Sequence, residues 1–137
     1  MGAREGVGRV TEFLAEAQGR EGAIVEALET VERALQANLD ALVHRPEALR
    51  LRGELRFKLG QMEPAEADFI EAIALAQKVS AKAWELRATM SLARLLAKQS
   101  RCEEARTKLS EIYTWFTEGF DTADLKDAKA LLDELSG

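Results

Sequence analysis

The chain has 137 residues, 47% of them hydrophobic and 31% charged, and a formal net charge of −5 at pH 7. This length suits one domain with its own hydrophobic core, and the apolar content excludes a disordered polar chain. The acidic balance argues against a general nucleic-acid binder, which must neutralise phosphates, and no apolar run approaches the roughly 20 residues that a membrane-spanning helix needs.

The first half of the chain carries four predicted helices. Apolar residues recur at helical spacing over about 7–21 and again over 24–35. Pro46 then opens a third helix that stops at Gly60, because proline suits the first turn of a helix and glycine its C-terminal end. Pro64 opens the fourth helix.

The second half carries two further helices before the C-terminal one. We expect Ser80 to cap a long helix over about 81–99, because a serine hydroxyl accepts a hydrogen bond from the first turn of a helix. Ser100 takes the turn position that Gly60 holds earlier. A sixth helix follows over about 102–117.

The last predicted helix covers about 122–136. It follows Asp121, which together with Asp124 resembles a capping box. We expect the aromatic residues just before this helix to seal the end of the domain by packing the helix onto the preceding pair. These residues are Trp115, Phe116 and Phe120.

A signature of small and apolar residues recurs three times along the chain. A small residue is followed by an alanine, then by an apolar residue, then by a small or apolar residue, always at the same spacing. The sets are Ala15, Ala27, Val31, Ala34; Gly53, Ala65, Phe69, Ala72; and Ala93, Ala105, Leu109, Ile112. Such self-similarity predicts stacked helical hairpins, in which small residues let paired helices approach closely. The hairpins would cover about 7–37, 46–79 and 81–118, with a capping helix over about 122–136, in a single domain over 1–137.

The same residues resemble the tetratricopeptide repeat, with its pattern of a small residue, a glycine, an alanine, a phenylalanine and an alanine. The middle set matches throughout, as Gly53, Gly60, Ala65, Phe69 and Ala72; the first matches at four places and the third loosely. The sets are offset by 38 and 40 residues, against about 34 in the family, and Leu49 and Arg56 replace its usual tryptophan and tyrosine. The resemblance implies an all-α, right-handed solenoid of about three hairpins plus the capping helix. An ordinary bundle of six or seven helices is the alternative.

The C-terminal half has a more specific resemblance, carried by the segments 84–88, 91–95 and 113–126. It is similar to the C-terminal region of large bacterial predicted-ATPase proteins with tetratricopeptide-like repeats, often found beside a class III adenylate/guanylate cyclase. The sequence has neither a glycine-rich phosphate loop ending in Lys-Ser or Lys-Thr nor the paired aspartates of a cyclase. The resemblance therefore implies a non-enzymatic scaffold or sensor piece of a signalling system, without catalytic residues.

In repeats of this kind the first helix of each hairpin lines a concave groove. The repeat register places these residues along it: Arg9, Glu12, Glu16, Arg50, Glu54, Phe57, Lys58, Arg87, Met90, Arg94 and Lys98. Arginine supplies bidentate contacts to carboxylates, and Phe57 and Met90 offer apolar contact. We therefore expect the groove to take an acidic peptide or partner helix, although the same residues also suit an ordinary hydrophilic helix face.

Charge is unevenly distributed along the second half of the chain. Residues 78–108 hold eight basic side chains against three acidic ones, and residues 109–137 hold two against seven. These segments suit two faces of opposite sign that dock within one molecule or between copies, and a homodimer is a further expectation. The alternative function is nucleic-acid or small-anion binding through the basic 78–108 band.

No residue pattern indicates a cofactor, a metal or a catalytic centre. Cys102 is the only cysteine, which excludes an intrachain disulfide and a cysteine-rich metal site, and His44 lies in a polar segment without ligands at suitable spacing. The N-terminal charges interrupt any secretory signal pattern. We therefore expect a cytoplasmic protein that is not an enzyme.

Overall fold

The fold was analysed in a computed structural model, which describes residues 21–37, 45–119 and 122–136. These residues form six α-helices and no strand: α1 (Glu21–Ala37), α2 (Arg45–Lys58), α3 (Met62–Lys78), α4 (Lys82–Lys98), α5 (Cys102–Tyr113) and α6 (Ala123–Ser136). The prediction of an all-α fold is confirmed. The helix predicted over 7–21 lies almost wholly outside the described residues, and α5 ends four residues before its predicted end.

Each helix packs against the next in the chain, and alternate helices of one set also pack on each other. Helix α4 contacts both α2 and α6 in addition to its sequence neighbours α3 and α5. The helices α2, α4 and α6 therefore form one continuous row, which we call the even row.

The recurring small and apolar residues mark the core. The alanines Ala27, Ala65 and Ala105 are fully buried, as are Phe69 and Leu109 four residues after the second and third of them. Their burial follows from spacing, because residues four apart lie on one helix face.

The crossing of α2 and α3 is as close as the small residues predict. A Cβ atom added at Gly53 would lie 2.5 Å from Cε1 and 2.7 Å from Cδ1 of Phe69. The ring of Phe69 therefore occupies the space that any larger residue at position 53 needs. Glycine is required here by packing, not by its backbone conformation.

Three successive helices end in the same turn. Gly60, Ser80 and Ser100 have φ values of 81°, 58° and 63°, in the left-handed region. After each of them the next residue donates a backbone hydrogen bond of 2.8 Å to a carbonyl five residues back, the bond that defines a Schellman motif. The prediction for Ser100 is confirmed, and the prediction that Ser80 caps α4 is wrong. Ser80 instead ends α3, and α4 begins after Ala81 without a side-chain cap.

Replacing either serine by glycine should stabilise the protein. A non-glycine residue in the left-handed region is destabilised by about 1–2 kcal/mol. Glycine avoids this strain, but it loses more conformational entropy on folding, so the net gain in stability is smaller. We expect Ser80→Gly and Ser100→Gly each to raise the free energy of unfolding by about 0.5–1 kcal/mol, measured by urea denaturation. Gly60→Ala is the matched control and should lower it by a similar amount; three equal shifts of one sign would contradict this reading.

The last helix is capped and docked by residues close to its start. The Oγ1 of Thr122 accepts a 3.4 Å hydrogen bond from the Leu125 N–H and donates a 2.8 Å bond to the Gly119 carbonyl. The predicted capping residue Asp121 lies outside the described residues. Leu125, Ala128 and Leu131 are buried against the core that α4 and α5 share. Helix α6 is thus held by an apolar face of its own.

The aromatic residues before α6 divide into two roles. Phe116 packs against the core, as expected of a residue that seals the domain. Trp115 does not: it is 56% exposed, makes an edge contact with Phe116 at 5.1 Å and has the Lys82 ammonium 5.2 Å from its ring centroid. The third residue, Phe120, lies outside the described residues.

A buried carboxylate joins the first three helices. Asp68 of α3 accepts hydrogen bonds from Arg52 (2.7 Å for the shortest) and Arg56 (2.9 Å), both on α2, and its side chain is 3% exposed. Arg56 also lies 3.6 Å from Glu32 of α1. The network thus links α1, α2 and α3 through Glu32, Arg56 and Asp68.

Candidate partner-binding cleft on the even row

A cleft of ≈ 370 Å³ opens across the even row. It is lined by Glu47, Arg50, Leu51, Arg87, Met90, Arg94, Asp124 and Asp127. These residues come from α2, α4 and α6, which the chain connects only through intervening helices. The cleft is therefore a product of tertiary packing, and we call it the even-row cleft.

The even-row cleft contains part of the set predicted from the repeat register. Arg50, Arg87, Met90 and Arg94 line it, and Glu54 borders it through Ser91, whose hydroxyl donates a 3.1 Å hydrogen bond to the Glu54 carboxylate. Met90 is only 4% exposed, so it forms the floor instead of a projecting apolar contact.

The other predicted groove residues lie elsewhere. Lys58 and Lys98 are the last residues of α2 and α4, beyond the cleft, and both are exposed. Phe57 is half-buried and packs against the core. The predicted residues Arg9, Glu12 and Glu16 lie outside the described residues.

Arg50 and Glu47 form the least exposed ion pair of the cleft. The Arg50 Nε and Nη2 atoms donate to the two carboxylate oxygens of Glu47 at 3.0 and 2.8 Å. Burial alone would raise the pKa of Glu47, but the hydrogen bonds and charge of Arg50, with the charge of Arg87, outweigh it and lower that pKa. Burial likewise opposes the charge of Arg50, yet Glu47 and the neighbouring carboxylates raise its pKa. Both groups are therefore charged at neutral pH.

Arg87 connects the pair to the C-terminal helix. Its Nε donates a 3.1 Å hydrogen bond to Oδ2 of Asp124, and its Nη1 lies 3.5 Å from Oε2 of Glu47. The basic and acidic segments of the chain thus meet within one molecule, one of the two arrangements that their charges suggested. Asp124 was not predicted as a cleft residue, and only this charge asymmetry pointed towards it.

Arg94 differs from the other cations of the even-row cleft. It is exposed, and within the described part of the chain it makes no ion pair, whereas Arg50 and Arg87 each contact two or more carboxylates. It follows Arg87 by two helical turns on α4, so both guanidinium groups face the same cleft. Arg94 is therefore the cleft's available cation.

The basic 78–108 band does not form a single surface. Lys82 and Lys108 line a second cleft of ≈ 230 Å³, together with Glu85, Glu111 and Trp115. Arg101 lies at the turn between α4 and α5, 3.3 Å from Glu66 and 2.9 Å from Glu104. Acidic side chains thus neutralise much of the band, and its cations are distributed over separate places.

The described residues offer little support for other types of functional site. These residues contain no cluster of three or more histidine, cysteine, aspartate or glutamate side chains able to hold a metal ion. Cys102 is exposed at the start of α5, and His44 lies outside the described residues. Among the helices described, none is long and apolar enough to cross a membrane.

Comparison of the chain with models of known protein families gives no match, and comparison with curated protein sequences gives none either.

Proposed function

We propose that this chain is a non-enzymatic protein-interaction module that binds an acidic peptide or partner helix in the even-row cleft. The observation that carries the proposal is the pair Arg87 and Arg94, which present two guanidinium groups to one cleft above the apolar floor of Met90. A planar guanidinium recognises carboxylates through paired hydrogen bonds. The cleft is preformed by packed helices, so binding requires little ordering of the protein.

The fold we propose is a right-handed, tetratricopeptide-like solenoid. Two observations support it: the packing of α4 on both α2 and α6, and the repeated turns at Gly60, Ser80 and Ser100. In such a solenoid the even row would line the concave side, where repeat proteins bind partners. Two residues depart from the family pattern: Leu49 is buried in the core, and Arg56 donates a hydrogen bond to Asp68.

The cellular role that we propose is that of a scaffold piece in a bacterial signalling system. The support is the resemblance of the segments 84–88, 91–95 and 113–126 to the tail of predicted-ATPase proteins associated with class III cyclases. Such a tail would bring a partner to the ATPase or cyclase. Its own residues would contribute binding and no chemistry.

The proposal is tested by capturing partners with the immobilised protein and identifying them by mass spectrometry. We expect Arg94→Glu to reduce capture of the main partner at least tenfold, because the variant places a like charge opposite its carboxylates. Arg106→Glu is the matched control: Arg106 is exposed on α5, outside the cleft, and pairs only weakly with Glu103 at 3.6 Å. Equal capture by the wild type and both variants would overturn the proposal.

The alternative, nucleic-acid or small-anion binding, has weaker support. Lys82, Arg101 and Lys108 lie away from the even-row cleft, and Lys82 and Arg101 already contact carboxylates. Phosphate binding by several cations would give affinity that falls steeply with added salt. A flat salt dependence for an oligonucleotide probe would remove this alternative.

A further inference from the structure

One cation of the even-row cleft is already engaged by an acidic residue of the same chain. Arg87 contacts Asp124 at 3.1 Å, and Asp127, one turn further along α6, also lines the cleft. Helix α6 thus presents carboxylates to the row of arginines on α4. This is the contact that an acidic partner would make.

The Arg87–Asp124 contact is not what holds α6 in place. The helix is docked by Leu125, Ala128 and Leu131, all buried, and capped by Thr122. The ion pair lies at the rim, where the two side chains are 41% and 32% exposed. A rim pair of this kind is weak, because water competes for both charges. It can therefore be exchanged while α6 stays docked.

Arg87 has a second carboxylate contact besides Asp124. Its Nη1 lies 3.5 Å from Glu47, and Glu47 is itself fixed by the 2.8 Å hydrogen bond from Arg50. Glu47 contacts Nη1 of Arg87, and the Nε of Arg87 faces the position of Asp124. Another carboxylate in that position would accept the same hydrogen bond. The Arg87 guanidinium is therefore preorganised to bind a carboxylate that replaces Asp124.

We infer that Asp124 is an internal competitor at the carboxylate site of the cleft, so that an acidic partner binds by taking its place on Arg87. The inference rests on the proposed function and specifies the group that the partner presents. Arg94 lies seven residues further along α4, about 10 Å away along the helix axis. Acidic residues three apart in an extended chain span that distance, so the partner is an extended acidic segment that contacts both arginines.

The experiment measures the binding of fluorescein-labelled hexaglutamate to the full chain by anisotropy, at low salt. We expect Asp124→Asn to lower the Kd about two- to fivefold, the range that corresponds to the loss of one competing exposed ion pair. Asp133→Asn removes the same charge from the same helix but from an exposed position paired with Lys129 at 3.7 Å, outside the cleft. It should leave the Kd unchanged. Thermal unfolding followed by circular dichroism verifies that α6 remains folded in both variants.

The role of Arg87 is isolated by repeating the measurement in an Arg87→Gln background. There the gain from Asp124→Asn should disappear, because no guanidinium remains for the two carboxylates to share. The inference is overturned if Asp124→Asn binds no tighter than Asp133→Asn, if its gain persists without Arg87, or if no variant binds hexaglutamate. Partner capture that ignores Arg94 while the Asp124 gain holds would overturn the proposed function and leave the carboxylate site intact.

Discussion

Gly53→Leu is expected to lower the free energy of unfolding by about 3 kcal/mol, at the upper end of the usual cost of overpacking a core. A Cβ at this position already lies 2.5 Å from the ring of Phe69, and that ring is fully buried. The added side chain must separate α2 from α3, the crossing on which the hairpin depends. Urea denaturation followed by circular dichroism measures the loss.

A control variant and a double variant test whether this loss of stability comes from the contact between positions 53 and 69. Gly22→Leu is the matched control, because no atom of the described residues lies within 4 Å of a Cβ there and Gly22 is exposed on α1. It should be neutral or stabilising by up to about 0.8 kcal/mol through helix propensity. Combining Gly53→Ala with Phe69→Leu should cost less than the two single changes together, since the smaller side chain at position 69 makes room. The contact between positions 53 and 69 would not be limiting if Gly22→Leu and Gly53→Leu lowered stability equally. The same would follow if the effects of Gly53→Ala and Phe69→Leu were strictly additive.

Asp68→Asn is expected to lower the free energy of unfolding by about 2–3 kcal/mol, somewhat below the usual cost of breaking a fully buried ion pair. The carboxylate compensates Arg52 and Arg56 at once, and the variant removes this charge from both guanidinium groups, while Arg56 keeps its longer 3.6 Å contact with Glu32. The cost stays below the full value because the two arginines are about one-fifth exposed and keep some contact with water.

The control for Asp68 is an exposed pair of the same kind. Glu29→Gln removes the carboxylate that lies 4.0 Å from Arg33, where both side chains are mostly exposed. It should change stability by less than about 0.5 kcal/mol. Urea denaturation at low and high salt separates the two sites, because a buried pair is screened less than an exposed one. If Asp68→Asn matched Glu29→Gln at both salt concentrations, the network would be incidental to stability.

The helices and their buried faces were predictable because they depend on short-range spacing. Apolar residues three and four apart define a face wherever the helix lies in the fold. The buried alanines Ala65 and Ala105 follow from this rule. Ser80 shows its limit: a serine between two helices suits the end of the first as well as the start of the second. The backbone hydrogen bond from the Ala81 N–H to the Ala76 carbonyl shows that Ser80 ends the first of these helices, α3.

The cleft was predictable only in part, because its walls come from helices distant in sequence. The repeat register identified Arg50, Arg87 and Arg94, since it specifies which face of α2 and α4 belongs to the even row. It also included Lys58 and Lys98, which lie at the ends of α2 and α4 outside the cleft, because face periodicity does not say where along a helix a cleft ends. The contacts of Asp124 with Arg87 and of Asp68 with Arg52 join residues on different helices, and no local pattern specifies them.

The three left-handed residues at positions 60, 80 and 100 recur at a constant interval of 20. Each helix of this stretch therefore starts from its predecessor with the same backbone geometry, whatever its side chains. Duplicating the forty residues between two equivalent turns would insert one more helix pair in phase, without a new type of junction. In the solenoid that we propose, tandem duplication would thus lengthen the row of helices, and each added unit would widen the proposed binding surface.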